Sequence, residues 1–202
     1  MLYYGSRELM RKPSGHPRHS SVLPAVAGAL ASGVLLGCAF PPVDLKWLVW
    51  VGLVPLLWAV TRSSSTHRAF WLGAAAGATF FLITLHPLVS AHSWTGWSTE
   101  AADAFARRMS RQWWFMQEIW VAFSVWVALF WGLWAAVTER LCRRRRWHLL
   151  LVAPAAWILL PEWARSRTTF DFTWAFLANA TADLLPIRRL AALGGVWLLS
   201  LL

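Results

Sequence analysis

Acidic side chains are scarce in this sequence: 9 Asp and Glu stand against 19 Lys and Arg, and charged residues make up only 14% of 202 positions. With 58% of residues hydrophobic, that shortage excludes an ordinary water-soluble globule, whose surface at this size could not be covered by so few polar groups. Cysteine is nearly lacking as well. Cys38 and Cys142 are separated by three apolar runs and have neither zinc nor redox spacing, which leaves two small buried or interfacial thiols. Also missing are a Gly-x-Ser-x-Gly elbow, a phosphate-binding glycine loop and a His-Glu-x-x-His pair, so the usual hydrolase, nucleotidase and metalloprotease readings have no support. Neither His86 nor His92 has an aspartate at the offset of a His-x4-Asp acyltransferase, and both are read as helix-packing or interfacial residues. No metal and no other cofactor is expected.

What is present is apolar length. Several nearly uncharged runs approach or exceed the ~20 residues that cross a ~30 Å hydrocarbon layer. The fold class expected is all-α, a polytopic transmembrane helical bundle of about five complete spans plus the start of a sixth. The net charge of +10 does not indicate nucleic acid, because the basic residues lie in short segments between apolar runs, where topology signals and headgroup contacts belong.

Residues 1–21 are polar, basic and interrupted by Pro13 and Pro17, and are read as a flexible cytoplasmic tail. Run one extends from about Leu23 to Phe40 and is rich in Gly and Ala, which permits close helix approach. Pro41 and Pro42 end it, since neither ring nitrogen can donate. The next apolar segment, Trp47 to Val60, is short for a span and carries Trp47, Trp50 and Trp58 towards its ends, at the level where indole rings favour the membrane interface. Run three, Ala69 to about Ala91, contains the small-residue stretch Gly73 to Ala78. His92 to Gln112 reads as a polar loop with an interfacial helix in STEAADAFARRM. Run four is Trp113 to Val137, run five about Leu149 to Trp163, and run six starts at Leu190. Thirteen residues do not cross a bilayer, so the expectation is a chain truncated at its carboxyl end.

Lys and Arg divide eleven to eight between alternate sides, with the first tail and the shortest loops on the richer side, which places the amino terminus in the cytoplasm. The connection from Ala164 to Arg189 then faces outward. It holds the most informative stretch, Pro161 to Ala180. Glu162 and Arg165 lie three apart and on an α-helix end would share a face, able to pair or to hold a lipid phosphate; Trp174 follows in an aromatic, headgroup-like setting. Glu118, about two turns inside run four, is read as an interfacial anchor or as one half of a functional pair.

The order of these features resembles the amino-terminal membrane domain of bacterial apolipoprotein N-acyltransferases. The carrying residues are Ala39-Phe-Pro-Pro-Val-Asp44 with the following Trp-Val-Gly-Leu-Val-Pro-Leu-Leu-Trp, and Arg68-Ala-Phe-Trp-Leu-Gly73. Ala153-Pro-Ala-Ala-Trp157 with Glu162-Trp-Ala-Arg165 come next, then Pro186-Ile-Arg-Arg-Leu-Ala191 before Gly195-Val-Trp-Leu-Leu-Ser200. The resemblance covers most of residues 22–202. Departures are Asp171-Phe-Thr-Trp174 where the family usually shows Gly-Phe-Pro-Trp, Ser166 for a common Gly, Arg189 for a Gln, and His86-Pro87 at a usual aromatic pair.

The resemblance implies residues 22–202 as an apolipoprotein N-acyltransferase-like membrane domain in the bacterial cytoplasmic (inner) membrane. It implies acyl transfer from a membrane phospholipid, through a cysteine thioester, to the α-amine of a lipoprotein. The family's nucleophilic Cys, general-base Glu and oxyanion Lys belong to an outward nitrilase-like domain after the sixth span, and neither Cys38 nor Cys142 matches that nucleophile. No catalytic residue is therefore assigned in this chain. Glu162, Arg165 and Trp174 are the expected lipid- or substrate-facing support. The implied partners are phospholipid, a lipoprotein substrate, and a missing or separate nitrilase-like domain. The other reading is a noncatalytic membrane anchor or partner for a separately encoded transferase, for example a polyprenol-linked glycosyltransferase.

Overall fold

The computed structural model describes residues 22–89, 100, 103, 113–143, 148–168 and 171–201. Among them every regular element is helical. The order is α1 (Val22–Cys38), α2 (Leu48–Val51), α3 (Val54–Thr61), α4 (Thr66–Val89), α5 (Trp113–Cys142) and α6 (Leu149–Trp157). A π-helical segment (Ile158–Ala164), α7 (Arg165–Thr168), a 3-10 turn (Leu177–Thr181) and α8 (Leu185–Leu201) complete it.

Two helices, within Thr66–Pro87 and Phe115–Cys142, are long and apolar enough to cross a bilayer; Val22–Cys38 and Leu48–Thr61 are apolar but shorter. The run from Trp47 to Val60 is divided because Pro55 has no N–H with which to close the ladder between α2 and α3. α1 stops before Pro41 and Pro42, and the chain folds back through Asp44, whose φ is 59°, with Leu45 N donating to Cys38 O at 2.9 Å. The tail and the expected interfacial helix lie outside the described residues, apart from Glu100 and Asp103.

α4 is the central helix, packed along α5 on one side and α1 on the other. Its small residues make this possible. A Cβ on Gly73 would sit 2.5 Å from Trp131 O and 2.6 Å from Ala135 Cβ, and a Cβ on Gly33 of α1 would sit 2.5 Å from Ala76 O. Large aromatic rings fill the space beyond these close approaches. Trp131 stacks on Phe80 with ring centroids 5.1 Å apart and meets Trp157 edge-on at 4.8 Å, while buried Trp134 donates to Ala153 O at 2.8 Å and so ties α5 to α6.

Polar side chains join the remaining elements. Ser32 is fully buried in α1, and its Oγ accepts from Leu56 N at 2.8 Å, serving one of the N–H groups that the first turn of α3 leaves unpaired. At the other end of the bundle from the α1–α2 turn, Glu139 of α5 accepts from Thr66 Oγ1 at 2.7 Å and from Arg143 Nε at 2.7 Å. The start of α4 is thereby fastened to the end of α5. Outside this core, large apolar side chains such as Leu23, Val54, Phe115, Val125, Leu150 and Leu159 are exposed.

α8 is two helical pieces. Gly194 and Gly195 break it, and Gly195 has φ 64° and ψ −162°, a conformation that a side chain disfavours although nothing lies within 4 Å of its would-be Cβ. Backbone shape, not crowding, requires glycine there.

Candidate functional site

Pro161 cannot donate a backbone hydrogen bond, and across Ile158–Ala164 the helix widens to the i→i+5 pattern of a π-helix. The widened turn sets Glu162 beneath Trp157, five residues earlier. Trp157 Nε1 donates to Glu162 Oε1 at 3.1 Å, and the same oxygen accepts from Leu177 N at 3.2 Å, the first residue of the 3-10 turn. Ser200 of α8 is close enough to act on this carboxyl, yet Oε2 makes no hydrogen bond of good geometry; Ser200 Oγ itself accepts from Ala178 N at 3.3 Å.

Arg165 follows the π segment and is held in a different way. Its Nε donates to Pro161 O at 2.6 Å and an Nη to Trp174 O at 2.9 Å. Three ring faces surround the guanidinium, with centroids at 4.7 Å for Phe176, 5.3 Å for Phe172 and 5.4 Å for Phe81. Such contacts favour the cation when it is withdrawn from water. Asp171 and Ala175 both have positive φ, 54° and 57°, so the backbone between them turns tightly enough to aim the Trp174 carbonyl inward while its indole stays outside.

Of the two alternatives expected for Glu162 and Arg165, to pair or to hold a lipid phosphate, the geometry bears only on the first. No ion pair forms between them; each has its own partners, because an i,i+3 relation worked out for α geometry does not carry into a π turn. Both are about 1% exposed and so are enclosed by the fold, whereas Trp174 is 57% exposed. Glu162 and Arg165 reach Trp174 and the 3-10 turn from within the fold.

Lys46 is the feature that sequence reading missed. Its ammonium lies between Asp44, at 3.3 Å, and Asp183, and so joins the α1–α2 turn to the connection before α8. Nothing in the local pattern signals a pair 137 residues apart. Hydrogen bonding from Lys46 holds the Asp183 carboxyl below its usual range, and the hydrogen bond to Asp183 together with that to Asp44 raises the Lys46 ammonium. Glu118 is exposed on α5, His86 is exposed and meets Trp120 edge-on at 5.3 Å, and His92 lies outside the described residues. Cys38 and Cys142 are free thiols far apart in the fold order, on α1 and α5.

These observations define a helical protein with at least two bilayer-length helices and a buried Glu/Arg arrangement that pins an aromatic connection across one end. The family model for the apolipoprotein N-acyltransferase N-terminal domain matches residues 32–202. The chain belongs to that family. It is 37% identical over 180 residues to an apolipoprotein N-acyltransferase of Gloeobacter violaceus, covering 87% of this chain and 32% of the relative. Similar proteins of the same name occur in Geobacter metallireducens, 29% identical over 86% of this chain and 30% of the relative, and in Rhodopirellula baltica, 30% identical over 86% and 28%. The chain thus spans about a third of the length of the curated relatives it matches.

Proposed function

We propose that this chain is the membrane platform of an acyltransferase that N-acylates bacterial lipoproteins with phospholipid as acyl donor. Residues 22–202 form the platform, threaded through the cytoplasmic membrane in about five spans and the beginning of a sixth, with residues 1–21 as a basic cytoplasmic tail. The apolar exterior and the basic end formed by Arg62, Arg68, Arg140 and Arg143 support that orientation. Bond making belongs to the nitrilase-like portion of the family, and no catalytic residue is assigned to this chain.

The observation that carries the reading is the fastening of residues 171–181 by Arg165 and Glu162 at the end opposite the basic cluster. A rigid connection at that end would hold a reacting domain at a fixed height and angle over the outer leaflet, and orientation of this kind is worth several kcal/mol in a bimolecular transfer. Arg165 and Glu162 are positioning residues in this account, and Trp174 supplies the surface contact.

A chimera in which residues 32–202 replace the matching domain of the Gloeobacter violaceus relative tests it. Arg165→Ala is expected to lower acyl transfer by about tenfold or more, mainly in kcat, with normal membrane abundance; Arg165→Lys is expected to recover little, since an ammonium cannot reproduce the planar fork. Unchanged transfer at normal abundance in Arg165→Ala would refute the positioning role.

A further inference from the structure

α8 is joined to the rest of the fold at two separate places, one on each side of its break at Gly194 and Gly195. Before the break, Asp183, just ahead of the helix, meets Lys46 of the α1–α2 turn. After it, Trp197 lies against Phe176 with ring centroids 5.5 Å apart, and Ser200 Oγ accepts from Ala178 N at 3.3 Å while standing beside the Glu162 carboxyl. The two halves are therefore fastened to different elements. Neither half contains a fully buried residue, so packing holds α8 lightly and the second half rests on these few contacts. One of them is incomplete: Glu162 Oε2 is buried without a hydrogen bond, which raises the free energy of the bent arrangement.

A cavity of about 260 Å³ borders this second half. Leu199, Ser200 and Leu201 supply one part of its lining, Leu57 of α3 and Trp157 of α6 another. The bend that keeps residues 199–201 there runs through Gly195, whose φ of 64° and ψ of −162° lie in a region essentially confined to glycine. No atom within 4 Å of its would-be Cβ calls for a small residue, so what glycine supplies is access to the bend itself. Glycine adopts ordinary helical angles as readily, and the same residue therefore permits a straight α8.

We infer that α8 has two positions, bent and straight, with Gly194–Gly195 as hinge and Ser200 as latch, and that straightening carries residues 196–201 away from Glu162 and Ala178 and opens the cavity. In the straight position the helix recovers regular angles across the break and gives up the Ser200 and Trp197 contacts. The difference between these small terms keeps both positions within reach, as in hinged elements generally. The hinge is a property of this helix and its neighbours, and it holds whether or not the platform reading does.

Double electron–electron resonance on the whole detergent-purified chain tests this, with spin labels at Val51→Cys and Leu201→Cys, both exposed positions, and with Cys38→Ser and Cys142→Ser to remove the native thiols. The arm from 196 to 201 is about 9 Å long, so its swing is expected to add a second distance that differs from the first by about 5 Å or more. Gly195→Ala is expected to raise the ratio of the second population to the first by roughly tenfold, because alanine strains the bent angles and favours the helical ones. Ser200→Ala is expected to shift the populations in the same direction by removing the latch, and Ser200→Thr, which keeps the hydroxyl, to shift them less. Hydrogen exchange at the Ala178 amide is expected to quicken in both alanine variants while the amides of α4 and α5 keep their protection. A single distance unchanged in both alanine variants, a featureless spread of distances with Gly195 and Ser200 intact, or loss of protection extending through α4 and α5 would each overturn the two-position assignment.

Discussion

At the scale of single residues, the buried polar groups do the joining. Glu139 is 5% exposed, yet both its carboxylate oxygens are engaged, one by Arg143 Nε and the other by Thr66 Oγ1 and an Arg143 Nη at 3.0 Å. Hydrogen bonds to a charged group contribute about 1.5–3 kcal/mol, and removing the charge while keeping the shape leaves Arg143 and Thr66 poorly matched. Glu139→Gln is accordingly expected to cost about 1–3 kcal/mol in thermal unfolding of the detergent-purified chain, with little change in the apolar exterior. An unaltered midpoint would show that the join between α4 and α5 is made by packing alone. Arg165 illustrates another solution to the same problem: its hydrogen bonds go to two carbonyl oxygens and its faces meet three rings, while the Glu162 carboxylate acts on it only at a distance. Arginine tolerates that arrangement because its charge is spread over a plane and is weakly hydrated.

At the scale of elements, α4 decides the packing. It lies between α1 and α5, and glycine on each contact lets the backbones approach to distances that no side chain allows. Gly73→Val should force α4 and α5 apart at Trp131 and Ala135, costing about 1–3 kcal/mol or more, with earlier thermal aggregation by size-exclusion chromatography. Gly195→Ala should act by a different route, through its positive φ, since no neighbour crowds it. Much of this was legible in sequence. Gly73 to Ala78 announced a close face, Pro41 and Pro42 ended α1, and the boundaries of α4 and α5 lie within a few residues of the apolar runs. The π segment was not legible, because Pro161 announces a missing donor but not how the ladder closes around it. For that reason the i,i+3 spacing of Glu162 and Arg165 did not reveal that each takes separate hydrogen-bond partners. The Trp174 indole is exposed, yet its atom that meets Arg165 is a backbone carbonyl, which no side-chain pattern could reveal.

At the scale of the whole molecule, the two ends are held by different chemistry. Around Glu139 the join is between helices, whereas the opposite end is closed by Lys46 reaching Asp183 across two connections. Asp183 titrates below its ordinary value because Lys46 donates to it, so its contribution is complete above the unfolded carboxylate range, near 3.8, and is lost as pH falls through the lower folded value. Lys46 has the reverse sign: its contribution is complete below 10.5 and is lost as pH rises through the raised folded value. Between those limits, hydrogen exchange of residues 181–184 should be flat with pH after correction for the intrinsic rate, and acidification below the carboxylate range should accelerate it. Asp183→Asn should abolish that acid dependence; persistence of it would assign the effect to another group. The span between the two partners also bears on how the protein is made. Lys46 leaves the ribosome 137 residues before Asp183, a gap of roughly 7–30 s at ordinary elongation rates. Throughout that interval Asp44, two positions away, is its available counterion, and only once residue 183 has been synthesised does the early turn acquire its distant companion.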